Sequence, residues 1–301
     1  MAGLKAIRQR IQSIKSTRQI TRAMKLVSAA KLKKAQDAAF AGRQFRLEIQ
    51  KALVLAIQNL PEDYSNPFLT HHENLGTKPD AKSGAKPVKL QTRVYAVSGE
   101  RGLCGAFNTN LIKAVVAQEN LTESEVIAVG KKANSAATRF KWKLKAAFEG
   151  LPEDISQWPM EELVDAGFKD LDSAHVVKLY FTQFVSALTQ KVTTETLLPF
   201  DVEKMKAQVS LGGLQNTAIK LDPSAIKVFE YLAPIYLRAR LREAALESRA
   251  SEHAARMTAM DAATNNASDL IDELQLFYNR ARQSAITTEL IDIIGGSSAV
   301  E

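Results

Sequence analysis

From about residue 222 to 296 the sequence reads as one very long helix that cannot bury its own seam. Small and apolar side chains recur at Leu246, Ala250, His253, Met257, Met260, Thr264, Ala267, Ile271, Leu274, Tyr278, Ala281 and Ala285. Steps of four and three alternate, so these residues fall on a single line of period 3.5, the pattern that winds two helices left-handedly around each other. About 60 residues of helix span roughly 90 Å at 1.5 Å per residue, well beyond the width of a small domain. Helical stability in water comes mainly from packing an amphipathic face, so this helix needs partners along most of its length. Ser224 is a suitable N-cap. Pro234 predicts a kink or interruption near Ala233, with continuous helix from about Ile235, and Gly295-Gly296 supplies a stop.

The first partner is the other end of the chain. Residues 3–60 read as a long helix ended by Pro61. Leu4, Ile7, Ile11 and Ile14 keep heptad spacing, and Ile20, Met24, Val27 and Ala30 resume it after a step of six, one short of a heptad, which predicts local overwinding. The opposite face carries Arg8, Arg10, Lys15, Arg18, Arg22, Lys25, Lys31, Lys33 and Lys34. Residues 1–51 hold 13 Lys and Arg against Asp37 and Glu48, a balance of +11, so with +7 for the whole chain the remainder carries −4. A merely solvated helix mixes signs to gain i,i+4 pairs. The shortage of acids points instead to an acidic partner or a polyanion.

Between the two helices the pattern changes. Residues 61–90 are rich in Pro, Gly, Asn, Lys and Ser and read as a linker or surface loop. Strands are expected at 93–98 and 125–129, each followed by a helix, at 108–118 and 131–148; a further helix is expected around 160–166, and two β-rich runs, 175–186 and 191–198, form an edge hairpin. Alternating strand and helix implies a parallel sheet with right-handed crossovers. The expected fold class is therefore an antiparallel coiled coil of N- and C-terminal helices with an inserted Rossmann-like α/β domain. The expected division is 1–60 helix, 61–90 loop, 91–200 α/β domain, 201–221 connector with Gly212-Gly213 as a joint, and 222–301 helix and apolar tip.

Candidate chemistry is weak. The turn Gly99-Glu-Arg-Gly102-Leu-Cys-Gly105 lacks the Gly-Lys-Ser/Thr of a phosphate loop and the spacing of a dinucleotide fingerprint. The four histidines, His71, His72, His175 and His253, stand apart from any nucleophile motif, and His71-His72 lacks the converging ligands zinc requires. No catalytic, cofactor-binding or metal-ligating residues are expected. The single Cys104 allows no internal disulfide. Neither a membrane-spanning segment nor a signal peptide is expected.

The end of the second helix is more informative. Residues 286–294, ITTELIDII, carry Ile and Leu on nearly every side, and this helix runs at least ten residues beyond its companion. An all-round apolar helix is normally surrounded. A sleeve made by another protein is expected around Ile286, Leu290, Ile293 and Ile294, with Arg280, Arg282 and Gln283 at its mouth. The rivals are a basic coiled coil that binds nucleic acid, a nucleotide-binding α/β enzyme, and an end folded back on its own sheet.

Four collinear stretches carry a resemblance: ITRAMKLVSAAKLKKAQ (residues 20–36), RGLCGAFNTN (101–110), SEHAARMTAMDAATNNA (251–267) and YNRARQSAITTELIDII (278–294). Together they resemble the gamma subunits of F-type ATP synthases. The resemblance implies a noncatalytic rotor shaft of the central stalk, held inside three alpha and three beta subunits and meeting an epsilon-type subunit and the c-ring with its α/β domain. Such a shaft carries torque between an ion-driven ring and catalytic beta sites, without a cofactor of its own. It implies that Arg282, Gln283, Thr287 and Glu289 contact alpha and beta loops, that Arg256 and Met24 influence coupling, and that Lys25, Lys31 and Lys33 face acidic levers of the beta subunits. It also implies a peripheral protein on the cytoplasmic side of a bacterial inner membrane, or on the matrix side of the mitochondrial one.

Overall fold

The computed structural model describes residues 2–69, 91–171, 175–209 and 221–298, and the side chains of these from 4 to 291. His71-His72, the joint at Gly212-Gly213 and the side chains of Ile293 and Ile294 lie outside the described residues. The chain divides into two compact units, Met1–Ala30 with Arg256–Glu301, and Lys31–Ala255.

In the second unit a five-stranded sheet has the order β3-β2-β1-β4-β5, from β1 (Gln91–Val97), β2 (Glu125–Val129), β3 (Leu144–Phe148), β4 (His175–Phe184) and β5 (Gln190–Leu198). All pairings are parallel except β4 with β5, which places β5 antiparallel on one edge. The pleat sends alternate residues to opposite faces. On one face Val94, Ala96, Val126, Ala128 and Tyr180 pack with Leu111 and Val115 of α2 (Phe107–Gln118) and Ala133, Ala136 and Ala137 of α3 (Lys131–Phe140). On the other, Tyr95, Val97, Ile127, Val129, Leu179 and Phe181 join Leu163 and Val164 of α4 (Met160–Phe168). The same cluster takes in Leu53, Val54 and Ala56 of α1 (Ala2–Gln58) and Phe229, Tyr236, Leu237 and Leu241 of α6 (Ala225–Ser298). The long helices thus supply part of the sheet's own core. A short helix, α5 (Val202–Gln208), is capped by Asp201 accepting from the Lys204 amide at 3.0 Å.

Three expectations about elements are corrected. The segment 131–148 is not one helix: α3 stops at Phe140, Lys141 takes a left-handed conformation (φ 54°), and β3 follows. Its Lys, Leu and Ala residues favour helix, but pairing with β2 and burial of Trp142 override that weak preference. α6 passes through Pro234 without interruption. A proline inside a helix costs about 3 kcal/mol, and Phe229, Ala233, Tyr236 and Leu237, all buried around it, offset that at about 1.5–3 kcal/mol for each large side chain. Ser224 does cap this helix, its Oγ accepting from the Lys227 amide at 3.3 Å. Gly295-Gly296 does not stop it, since glycine permits a left-handed cap without requiring one, and the helix continues to Ser298.

The fourth correction concerns α1 in the first unit. Its inward line runs through Leu4, Ile7, Ile11, Ile14, Arg18, Thr21, Lys25 and Ser28, an unbroken alternation of three and four, with Lys15, the expected Met24 and Ala29 half-buried beside it. There is no short step. Ile20 and Val27, expected in the seam, are 60% and 56% exposed. The seam continues through polar residues because the facing helix offers them polar partners.

Candidate functional site

Those partners define the helix pair of the first unit. The Arg18 guanidinium donates to Ser268 Oγ at 3.3 Å, Thr21 Oγ1 and Thr264 Oγ1 are 2.8 Å apart, and Lys25 Nζ donates to Asp261 Oδ1 at 2.6 Å. Met260, Ala267 and Ile271 lie buried along the same line of α6, and Leu274, Tyr278, Ala281 and Ala285 are half-buried. The three polar pairs fix an antiparallel register that sets Ala2 opposite about residue 284. Roughly the last 13 residues of α6, about 20 Å of helix, extend past the start of α1.

Here every side chain from 286 to 291 is exposed, including Ile286, Leu290 and Ile291. Arg282, Gln283 and Glu289 are exposed as well, and Thr287 Oγ1 donates to the Gln283 carbonyl at 2.9 Å within the helix. Further apolar side chains stand outward on both helices: Ile20, Leu26 and Val27 on α1, and Leu276 and Phe277 on α6. Spacing alone hides the outward role of Ile20 and Val27, because their apolar character draws them into a seam that Thr21 and Ser28 fill. Counting heptads strictly from Leu4 would have exposed them.

Of the remaining candidate residues, Met24 is half-buried, Arg256 is buried and Lys33 is exposed. Two of the cations expected to face acidic partners are already engaged within the chain. Lys25 pairs with Asp261, and Lys31 Nζ lies 2.9 Å from Glu153 Oε2. In the second unit Arg43 and Arg46 pair with the buried Glu243, and Arg43 also with Glu247. The basic balance of the first 51 residues is thus partly internal, which weakens the case for a nucleic-acid surface.

The crevice where an α/β sheet of this kind would hold a nucleotide lies beyond the carboxyl ends of β1 and β4, where the strand order reverses. Helix α6 fills it. Ser248 Oγ donates to the Val97 carbonyl at 3.3 Å and accepts from the Thr182 amide at 3.4 Å, and Ser251 Oγ donates to the Thr182 carbonyl at 3.0 Å. A Cβ on Gly99 would meet the Glu252 carboxylate at 2.9–3.2 Å. The glycine turn accommodates a carboxylate of the chain's own helix, which is the physical reason for a glycine at its first position. Among the described residues no cluster of His, Cys, Asp or Glu is arranged to hold a metal ion, and no helix is long and apolar enough to cross a membrane.

Two carboxylates are held well below their ordinary range. Burial raises the Glu125 carboxyl, but the Arg93 hydrogen bond and the charges of Lys145, Arg93 and Lys143 reverse this and take it to about 2. Burial likewise raises Glu153, and the Lys31 hydrogen bond with the charges of His253 and Lys31 takes it to about 2. Folded-state values below the unfolded value of 4.5 mean that both groups contribute stability above about pH 4.5 and lose it as pH falls toward 2. Glu125→Gln should therefore lower stability at neutral pH and flatten its decline across that acid window. An acid-unfolding curve as steep as the parent's would remove Glu125 from the account.

A family model described as ATP synthase matches residues 3–300. The ATP synthase gamma chain of Pelotomaculum thermopropionicum is 36% identical over 305 residues, covering all of both chains. That of Flavobacterium psychrophilum is 38% identical over 311 residues, again with full coverage. Among solved structures, a chain from the rotor of Euglena gracilis mitochondrial ATP synthase aligns over 95% of this chain and 99% of its own, with TM-score 0.65 at 20% identity. A chain from the central stalk and c-ring of Tetrahymena thermophila mitochondrial ATP synthase covers 81% of this chain and 99% of its own, with TM-score 0.56 at 24% identity. The structures share the fold of two long helices with an inserted sheet, and the sequence relationship runs from end to end: the chain belongs to the ATP synthase gamma chain family.

Proposed function

We propose that this chain is the noncatalytic rotor shaft of a bacterial ATP synthase, turning inside three alpha and three beta subunits. In this role its α/β domain meets an epsilon-type subunit and the c-ring on the cytoplasmic side of the inner membrane. The observation that carries this reading is the stretch 286–291 of α6, past the reach of α1, where Ile286, Leu290 and Ile291 stand exposed. An exposed apolar surface of this kind marks a site of interaction with another molecule, and no segment among the described residues covers it. Rotation can bias the affinity of a catalytic site only if the shaft contacts each beta conformation differently. Ile286, Leu290, Ile293 and Ile294 are the apolar bearing in this scheme. Arg282, Gln283, Thr287 and Glu289 make the angle-dependent polar contacts. Met24, Arg256 and the outward cation Lys33 lie along the shaft below. Lys25 and Lys31 reach a beta subunit only by sharing or exchanging their internal carboxylates.

A tagged chain should co-purify with two larger ATP-binding subunits, three copies of each; its isolation as a lone monomer would end the reading. The double variant Arg282→Ala, Glu289→Ala should lower ATP synthesis about tenfold, within the usual range of coupling energies, while the yield of assembled complex falls less. Equal losses of complex and activity would make these residues structural instead.

A further inference from the structure

In the second unit the segment between β3 and α4 is held from both long helices. Glu153 stands at the centre: Oε2 accepts from Lys31 Nζ of α1 at 2.9 Å, and Oε1 lies 2.6 Å from His253 Nε2 of α6. One turn earlier on α6, Arg249 donates to the Leu151 and Pro152 carbonyls at 3.3 Å each and lies over the Trp158 ring at 5.5 Å. The Trp158 indole donates to the same Pro152 carbonyl at 2.9 Å. Behind the segment, the Glu100 carboxylate accepts from the Gly150 and Leu151 amides at 3.2 Å each and from the Lys131 amide at 3.3 Å. The backbone around Glu153 is thereby anchored to the turn that follows β1 and to α6, and its side chain bridges the two helices.

We propose that Glu153 is a positioning residue for torque, a pin that keeps α1 and α6 from turning about their own axes against the α/β domain. The inference rests on the rotor reading. Apolar contacts between helix and sheet resist separation but are non-directional. Ser248, Ser251 and Arg240 already tie α6 to the sheet by directional bonds, so the restraint that Glu153 adds bears mainly on α1. A charge-assisted hydrogen bond is directional, and at the rim of a helix it acts about 5 Å from the axis, where it opposes rolling most effectively. Glu153 applies that restraint to both helices through one carboxylate, so a load on either is passed to the sheet.

The test uses assembled ATP synthase in sealed vesicles carrying Glu153→Gln, with ATP hydrolysis and ATP-driven proton pumping measured as an opposing proton gradient builds. Hydrolysis should stay near the parent rate. Protons pumped per ATP under load should fall about twofold, the size expected of a solvent-exposed ion pair, and Glu153→Asp should restore much of it. A pumping ratio equal to the parent's at every load would overturn the proposal. So would a parallel loss of hydrolysis, pumping and assembled complex. If Glu153→Gln fails to assemble, His253→Gln, which keeps a donor but can carry no charge, must show the same load-dependent loss or the proposal falls. The rotor reading stands or falls separately, on whether the parent chain co-purifies with the ATP-binding subunits.

Discussion

Replacing Arg240 by methionine should destabilise the chain by about 3 kcal/mol, because it leaves the partly buried Glu195 carboxylate without its partner. Arg240 is nine-tenths buried and grips Glu195 of the edge strand β5 with two nitrogens: Nε at 3.1 and 3.0 Å from the two carboxylate oxygens, and Nη2 at 2.5 Å. Its Nη1 lies 3.4 Å from Glu243, which in turn meets Arg46 Nε at 2.5 Å and Arg43 Nε at 3.5 Å. Charges of alternating sign therefore run from β5 through α6 to α1. Burial alone would lower the Arg240 pKa, yet Glu195 and Glu243 raise it above the ordinary arginine value, so the guanidinium stays charged. It also lies 4.9 Å over the Phe181 ring. Urea unfolding of the full chain, followed by the fluorescence of Trp142 and Trp158, measures the loss, because both indoles are buried in the same unit. The double variant Arg240→Met, Glu195→Met should recover much of it, since no unpaired charge remains at the sheet edge. An unchanged midpoint in Arg240→Met would show that the chain of charges is dispensable.

Gly167→Ala should destabilise the chain by about 2 kcal/mol or more, against the sign that helix propensity gives. In an exposed helix the change gains up to about 1 kcal/mol. At position 167 of α4, however, a Cβ would stand 1.9 Å from the Tyr95 hydroxyl oxygen and 2.4 Å from its ring. Tyr95 has nowhere to go: it is fully buried, its hydroxyl donates to the Leu163 carbonyl at 2.5 Å, and its ring packs against Phe168. The helix must back away, opening the core between α4 and the sheet, and overpacking of this kind costs about 1–3 kcal/mol or more. The same unfolding experiment decides the sign. A stabilised Gly167→Ala would mean that α4 shifts without loss.

Much of the helix pair was legible because its code is periodic. In α6 from Met260 to Ala285 the seam residues are small or apolar, and they are the ones the structure places inward. Residues 286–294 are apolar on too many sides for any single partner helix, and those of them whose side chains are described, 286–291, are exposed. The middle of the α1 seam was not legible. Arg18, Thr21, Lys25 and Ser28 carry no apolar signal, and their inward positions make sense only beside Ser268, Thr264 and Asp261, some 240 residues away in sequence. β3 was hidden in the same way, because a helix-favouring string becomes a strand only when β2 offers it an edge.

Local periodicity is a property of the sequence, and by itself it pointed to two long helices that pair and to a largely parallel sheet in the sequence between them. Which charges meet was decided by tertiary structure alone. Lys31, Glu153 and His253 belong to three separate elements, and no rule of spacing joins them. A charged side chain takes its role from the partner that folding brings within about 3 Å of it, where the pair is strong enough to direct geometry.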